Sequence, residues 1–155
     1  MISPELLRQY PFFGLLDDRQ QKAIAMIADE VAFEKEIILF REGEDASVWY
    51  FLLEGSVDLY YYGAEDLPSD SNRGILVGMI NPGEPFAISA VIEPHVFTST
   101  AWTAKPGRAI KIEAGRLREL FEQDRSLAFL LTRQAARAAI DRLNTARVQL
   151  AAALA

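Results

Sequence analysis

The spacing of hydrophobic residues changes period twice along this chain, and the changes divide it into three parts. Residues 1–31 read as helical. Ser3 can cap a first turn with Pro4 where a missing N–H costs nothing, and Leu6, Leu7 and Tyr10 share a face. A second helix is expected after Asp17, with Gln20 at capping-box spacing and Ile24, Ile27, Ala28 and Val31 at helical intervals. Residues 32–112 read instead as short strands. Val48 to Tyr62 is rich in aromatic and β-branched types, and Val57, Leu59 and Tyr61 alternate with Ser56, Asp58 and Tyr60. Gly43, Gly55, Gly74, Gly83 and Gly107 punctuate the run, and the polar stretch from Gly63 to Gly74 reads as an exposed hairpin loop. Residues 113–155 return to helical spacing. Leu117, Leu120 and Phe121 mark a short amphipathic helix. A longer one runs from about Arg125 to the end without Gly or Pro, and at ~1.5 Å per residue it spans roughly 45 Å.

Helices, then many short strands, then two helices predict an α+β domain covering residues 1–155, built on a closed or rolled antiparallel sheet. Half the residues are hydrophobic and a quarter charged, which suits one globular domain of 155 residues. No run of about 18 apolar residues predicts a membrane span, and Met1 to Tyr10 lacks the pattern of a signal peptide. With no cysteine, disulfides, thiol catalysis and cysteine-bound metals are excluded, and a cytoplasmic location is expected.

The formal net charge of −6 argues against direct DNA binding, because phosphate neutralisation needs a basic surface. The chain carries no HExxH, phosphate-binding GxxxxGK[ST] or Ser/His/Asp pattern, so neither an enzyme nor a bound cofactor is expected. Glu42, Glu44 and Asp45 lack a calcium-loop pattern and read as a solvated turn. His95 beside Pro94 reads as a loop histidine rather than a haem ligand, and Trp49 and Trp102 as core or interface residues.

Two stretches carry a family resemblance. Leu39 to Tyr62 resembles a strand–Gly–strand signature, with Gly43 before an aromatic strand and Gly55 turning it. PGEPFAISAVI, from Pro82 to Ile92, resembles the start of a phosphate-binding cassette, here residues 82–104. In this order they resemble the cyclic nucleotide-binding domain of the CRP/FNR family. The resemblance implies a jelly-roll-like β-roll (a double-stranded β-helix) with N-terminal helices and a short plus a long C-terminal helix. It also implies a regulatory role.

In that family a glutamate on the cassette holds the ribose and an arginine further on pairs with the phosphate. Phe86 and Ala90 match the family pattern, and Thr98, Ser99 and Thr100 match its hydroxyl-rich tail. Ala87 replaces its glycine, Ile88 its glutamate and Phe97 its arginine, while Ser89 lies between the matched positions. Losing two charge-assisted hydrogen bonds costs about 3–6 kcal/mol, or roughly 10²–10⁴ in affinity. The expectation is that cyclic AMP and cyclic GMP are not bound in the usual way. Thr98, Ser99 and Thr100 also admit a plain strand reading.

On the long helix, Ala136, Ala139, Leu143, Ala146, Leu150 and Ala153 recur at steps of three and four, a coiled-coil seam of small residues. Leu127, Leu130 and Leu131 are expected to pack on the roll, while Arg133, Arg137, Arg142 and Arg147 fall outside the seam and stay wet or pair with acidic neighbours. A homodimer through this helix is expected, regulated by an unidentified effector or protein partner. Two other readings stay open. One is a nucleotide sensor in which Arg133 or Arg137 supplies the lost charge. The other is a dimerisation module with a filled pocket. Whether the chain stands alone or belongs to a longer regulator also stays open.

Overall fold

The computed structural model describes residues 1–63 and 72–155. The hairpin loop expected from Gly63 to Gly74 therefore lies largely outside the described residues.

Helix α1 (Pro4–Arg8) starts as the sequence predicts, with the Ser3 side chain accepting from the Glu5 N–H. A 3-10 turn, Pro11–Phe13, leads to α2 (Asp18–Ile27), where Asp17 and Gln20 form the reciprocal capping box. The chain then turns to strand earlier than its spacing suggests. Ala28 and Val31 belong to β1 (Ala28–Phe33), which pairs antiparallel with the strand ending at Glu113. Their helical interval is compatible with either structure, and sheet pairing decides it.

Strands β2 (Ile38–Phe40), β3 (Val48–Tyr61), β4 (Ile75–Ile80), β5 (Pro85–Phe86) and β6 (Thr100–Glu113) complete a six-stranded antiparallel sheet. Its main order is β1-β6-β3-β4, with β2 on β6 and β5 on β3. The two long strands β3 and β6 lie side by side from Val48 opposite Glu113 to Tyr60 opposite Thr100. Register shifts between Leu52 and Val57 bend this pair and roll the sheet. Two glycines meet at the bend. Gly55 has φ +94°, and a side chain there would sit 2.8 Å from the Pro106 carbonyl oxygen, while a Cβ on Gly107 would overlap the Glu54 carbonyl. A further shift between Leu59 and Tyr60 ends the expected alternation. Val57 and Leu59 are buried, but Tyr61 is exposed and Tyr62 takes the inward place.

The core has two aromatic groups. At the helical end, Tyr10, Phe12 and Phe13 pack on Trp49 and Phe51. Inside the roll, Tyr50 stacks on Phe86 with centroids 5.0 Å apart, Phe86 lies 6.2 Å from Phe40, and Phe40 stacks on Phe97 at 4.0 Å.

Helix α3 (Ala114–Gln123) follows β6 directly. Asp124 then caps α4 (Arg125–Leu154) by accepting from the Leu127 N–H at 3.0 Å. Leu127 and Leu131 are buried against the roll and Leu130 is half-buried, as expected. Among the described residues, no helix is long and apolar enough to cross a membrane.

Candidate ligand site

The cassette is a compact loop between β5 and β6. After Phe86 the backbone turns through Ala87 at φ 63°, a left-handed conformation that suits the glycine this position has lost. One 3-10 turn, Ile88–Val91, follows. The chain returns through His95 to Phe97, whose N–H bonds the Glu44 carbonyl while its own carbonyl accepts from Gly43. The Ala46 N–H bonds the His95 carbonyl at 2.8 Å. The acidic turn and the cassette thus form one backbone-linked unit. Glu42 and Glu44 serve it as acceptors for the Tyr62 and Arg41 N–H groups. Among the described residues, no group of three His, Cys, Asp or Glu side chains is placed to hold a metal.

A half-open cavity of about 180 Å³ lies between the cassette and α4. Six of the eight cassette residues named from the sequence line it: Ala87, Ile88, Ser89, Phe97, Thr98 and Ser99. Phe40, Leu59, Ala139 and Arg142 complete the wall. The other two belong to the scaffold. Phe86 is buried in the aromatic stack, and the Thr100 hydroxyl accepts from the Glu42 N–H at 3.0 Å.

Phe97 and Ile88 occupy the positions where the resemblance places charge, and they do so differently. Phe97 is 4% exposed and stacked on Phe40. Its ring fills the roll where an arginine would need an anion to offset burial. Ile88 is half-buried and faces the cavity.

The arginine that reaches this cavity is Arg142, and neither Arg133 nor Arg137 lines it. Both of those are exposed. Arg137 bonds the Gln134 side chain, and Arg133 borders a surface groove with Phe129 and Ala136. Arg142 is not wet as the sequence suggests. It is half-buried, and one terminal nitrogen donates to the Pro85 carbonyl. Its Nε is buried and makes no hydrogen bond. Burial pushes the pKa of the guanidinium down from its ordinary value, and the carboxylates of Glu84 and Asp141 pull it back up. Its place follows from the docked face of α4: buried and half-buried positions there include Leu127, Leu131, Ala135, Ala138, Arg142 and Ala146 at steps of three and four, so Arg142 continues the stripe that docks on the roll.

A second arginine holds the cassette from α3. Arg118 donates from Nε to the Ala90 carbonyl at 3.0 Å and from a terminal nitrogen to the Ala46 carbonyl at 3.1 Å.

A β-roll flanked by such helices, with its cavity between the cassette and the last helix, defines a sensor-type domain. The family model described as "Cyclic nucleotide-binding domain" matches residues 30–124. A putative cyclic nucleotide-binding protein from Geobacter metallireducens GS-15 is 38% identical, with a TM-score of 0.80 over 92% of this chain and 99% of that one. The N-terminal domain of a transcriptional regulator from Streptomyces coelicolor A3(2) is 25% identical, with a TM-score of 0.65 over 85% and 90% of the two chains. The sensor domain of the transcriptional regulator DNR from Pseudomonas aeruginosa shares the fold, at 20% identity and a TM-score of 0.67 over 87% and 91%. No curated protein matches the sequence. The chain belongs to the cyclic nucleotide-binding domain family.

Proposed function

We propose that this domain is a cytoplasmic, non-enzymatic regulatory sensor and interaction module that does not hold cyclic AMP or cyclic GMP in its family's usual way. The observation that carries the reading is Phe97, stacked at 4.0 Å on Phe40 where the family resemblance puts the phosphate-binding arginine. Ile88 at the ribose-binding position supports it further. An anionic sugar phosphate entering there would lose water without gaining those partners. The net charge of −6 supports a role that does not include direct DNA binding.

The module acts as a homodimer through α4. Phe129, Ala136, Ile140, Leu143 and Leu150 are exposed on that helix. Ala136, Leu143 and Leu150 belong to the seam read from the sequence, and Phe129 extends it by one heptad. A second copy presenting the same stripe would cover these side chains. Ala139 lies in the seam and also borders the cavity, so one helix serves both the pocket and the dimer.

A thermal-shift titration with cyclic AMP and cyclic GMP tests the ligand reading. A ligand at about 100 times its Kd stabilises a fold by roughly 2.7 kcal/mol, or several degrees for a domain of this size. The expected result is no saturable shift with either nucleotide. A saturable shift with one of them overturns the reading.

A further inference from the structure

We propose that the cavity between the cassette and α4 binds a small organic monocarboxylate with an apolar body about the size of one benzene ring, its anionic end on Arg142. The inference deepens the sensor reading above and rests on it.

Three observations point the same way. The first is charge. Among the described residues, Arg142 is the one ionisable side chain in the cavity wall, and its Nε is a buried donor with no acceptor. Such donors are rare in folded proteins because the lost hydrogen bond to water is not replaced. Neither Glu84 nor Asp141 forms an ion pair with Arg142 among the described residues. The Glu84 carboxylate is instead engaged by the Asn81 N–H at 3.2 Å. A carboxylate in the cavity would give the Arg142 guanidinium the anionic partner it lacks among the described residues.

The second is size. The cavity of about 180 Å³ is comparable to the ~150 Å³ cavity that takes up benzene in an engineered protein core. The third is the lining. Phe40, Phe97, Leu59 and Ile88 offer an apolar bed. The hydroxyl residues Ser89, Thr98 and Ser99 lie in the same wall and can complete an oxygen-rich end. A strongly hydrated dianion gains little from that bed, and a neutral hydrocarbon leaves Arg142 as it is. A monocarboxylate with an apolar body uses both.

Benzoate serves as the probe, titrated into the ¹⁵N-labelled full chain and followed by the amide resonances of Ser89, Thr98 and Ser99. Saturable shifts at these positions are expected. Benzyl alcohol, similar in shape but uncharged, should bind about 10- to 150-fold more weakly, the factor one charge-assisted hydrogen bond supplies. Arg142→Gln should weaken benzoate by a similar factor, while Arg133→Gln on the exposed face should leave it unchanged. Equal binding of benzoate to wild type and Arg142→Gln overturns the proposal, as does absence of saturable benzoate shifts at these amides. Inorganic phosphate binding as tightly as benzoate overturns the apolar-body assignment. If Arg142→Gln does not fold, the comparison of benzoate with benzyl alcohol on wild type still decides the role of charge. Binding of cyclic AMP or cyclic GMP in the earlier titration defeats the sensor reading itself, whatever benzoate does.

Discussion

Replacing Phe97 with alanine asks whether the family's arginine position is filled or vacant. The ring is 4% exposed and stacks on Phe40 with centroids 4.0 Å apart. Burying a phenylalanine stabilises a fold by about 1.5–3 kcal/mol, and an aromatic pair adds about 0.5–1.5 kcal/mol. Core Phe→Ala substitutions cost about 3–5 kcal/mol in all, the upper part of that range coming from an empty, rigid cavity. Here the vacated space opens into the half-open cavity beside α4, so water can enter it and the cost falls near the lower end. The expected loss is about 3 kcal/mol, lowering Tm by roughly 6–12 °C for a domain of this size. Urea unfolding at fixed protein concentration measures it, because the proposed dimer would make midpoints concentration-dependent. An unchanged m with a lower midpoint is the expected pattern. A loss below about 1 kcal/mol would refute the reasoning: the ring would then add little to the core, and the position would be free to take a charged side chain.

The remaining predictions use other parts of the molecule. Leu143→Glu puts a charge in the exposed seam on α4, so a dimer present in the wild type should become a monomer by light scattering with little change in far-UV circular dichroism; a wild type already monomeric at high concentration removes the dimer proposal. Ala87→Gly relieves a left-handed alanine at φ 63° and should raise stability by about 0.5–1 kcal/mol, the entropy of glycine in the unfolded chain offsetting part of the gain; a loss of stability would show that the Ala87 methyl packs better than its backbone strains. Asp124 accepts from the Leu127 N–H and the Gln20 side chain, bonds that hold its carboxyl pKa below the usual value despite some desolvation. The unfolded chain then binds the extra proton more readily. This contribution is present above the ordinary carboxylate range and is lost as pH falls through the lowered folded value. Asp124→Asn should therefore flatten the acid side of a urea-midpoint against pH profile; an unaltered slope contradicts it.

The parts legible in the sequence are those set by local chemistry. Asp17 and Gln20 announce a helix start by their spacing, and the structure has both reciprocal bonds. The cassette could be placed by Phe86, Ala90 and the hydroxyl tail, and six of its named residues do line one cavity. The failures come where tertiary contacts choose between two acceptable local patterns. Ala28 and Val31 sit at helical intervals, yet pairing with Ile112 and Ala109 makes them strand. Tyr61 follows the alternation of Val57 and Leu59 until the bulge after Leu59 moves the inward place to Tyr62. Arg142 was hidden for a similar reason. The helix carries a seam and a docking stripe that share Ala146, and which face meets the roll is fixed by where α3 and Asp124 start the helix. The charge that seemed lost from the cassette is thus offered from a position outside any cassette pattern.

That displacement bears on how such a module could signal. In the family resemblance the phosphate-binding arginine belongs to the roll, so ligand charge is met by the roll itself. Here, among the described residues, the one cation in the cavity wall belongs to α4, whose other face presents Phe129, Leu143 and Leu150 to solvent. Arg118 fixes the far side of the cassette to α3 through the Ala90 and Ala46 carbonyls, which leaves the Arg142 bond to the Pro85 carbonyl as the side-chain tie between α4 and β5. An anion held by Arg142 in the cavity would favour the arrangement in which α4 lies closed against the cassette. A ligand shifts such an equilibrium only by the difference in its affinity for the two arrangements. If α4 carries Arg142 away from the cavity in the open arrangement, that difference approaches one charge-assisted hydrogen bond, about 1.5–3 kcal/mol, or roughly a 10- to 150-fold change in population. By reciprocity, whatever fixes α4 in the closed position, including a second copy on its outer face, should tighten ligand binding by the same factor. If the wild type dimerises through the seam, benzoate affinity should therefore be weaker in Leu143→Glu than in the wild type although Leu143 does not line the cavity, and equal affinities would show that pocket and seam are independent.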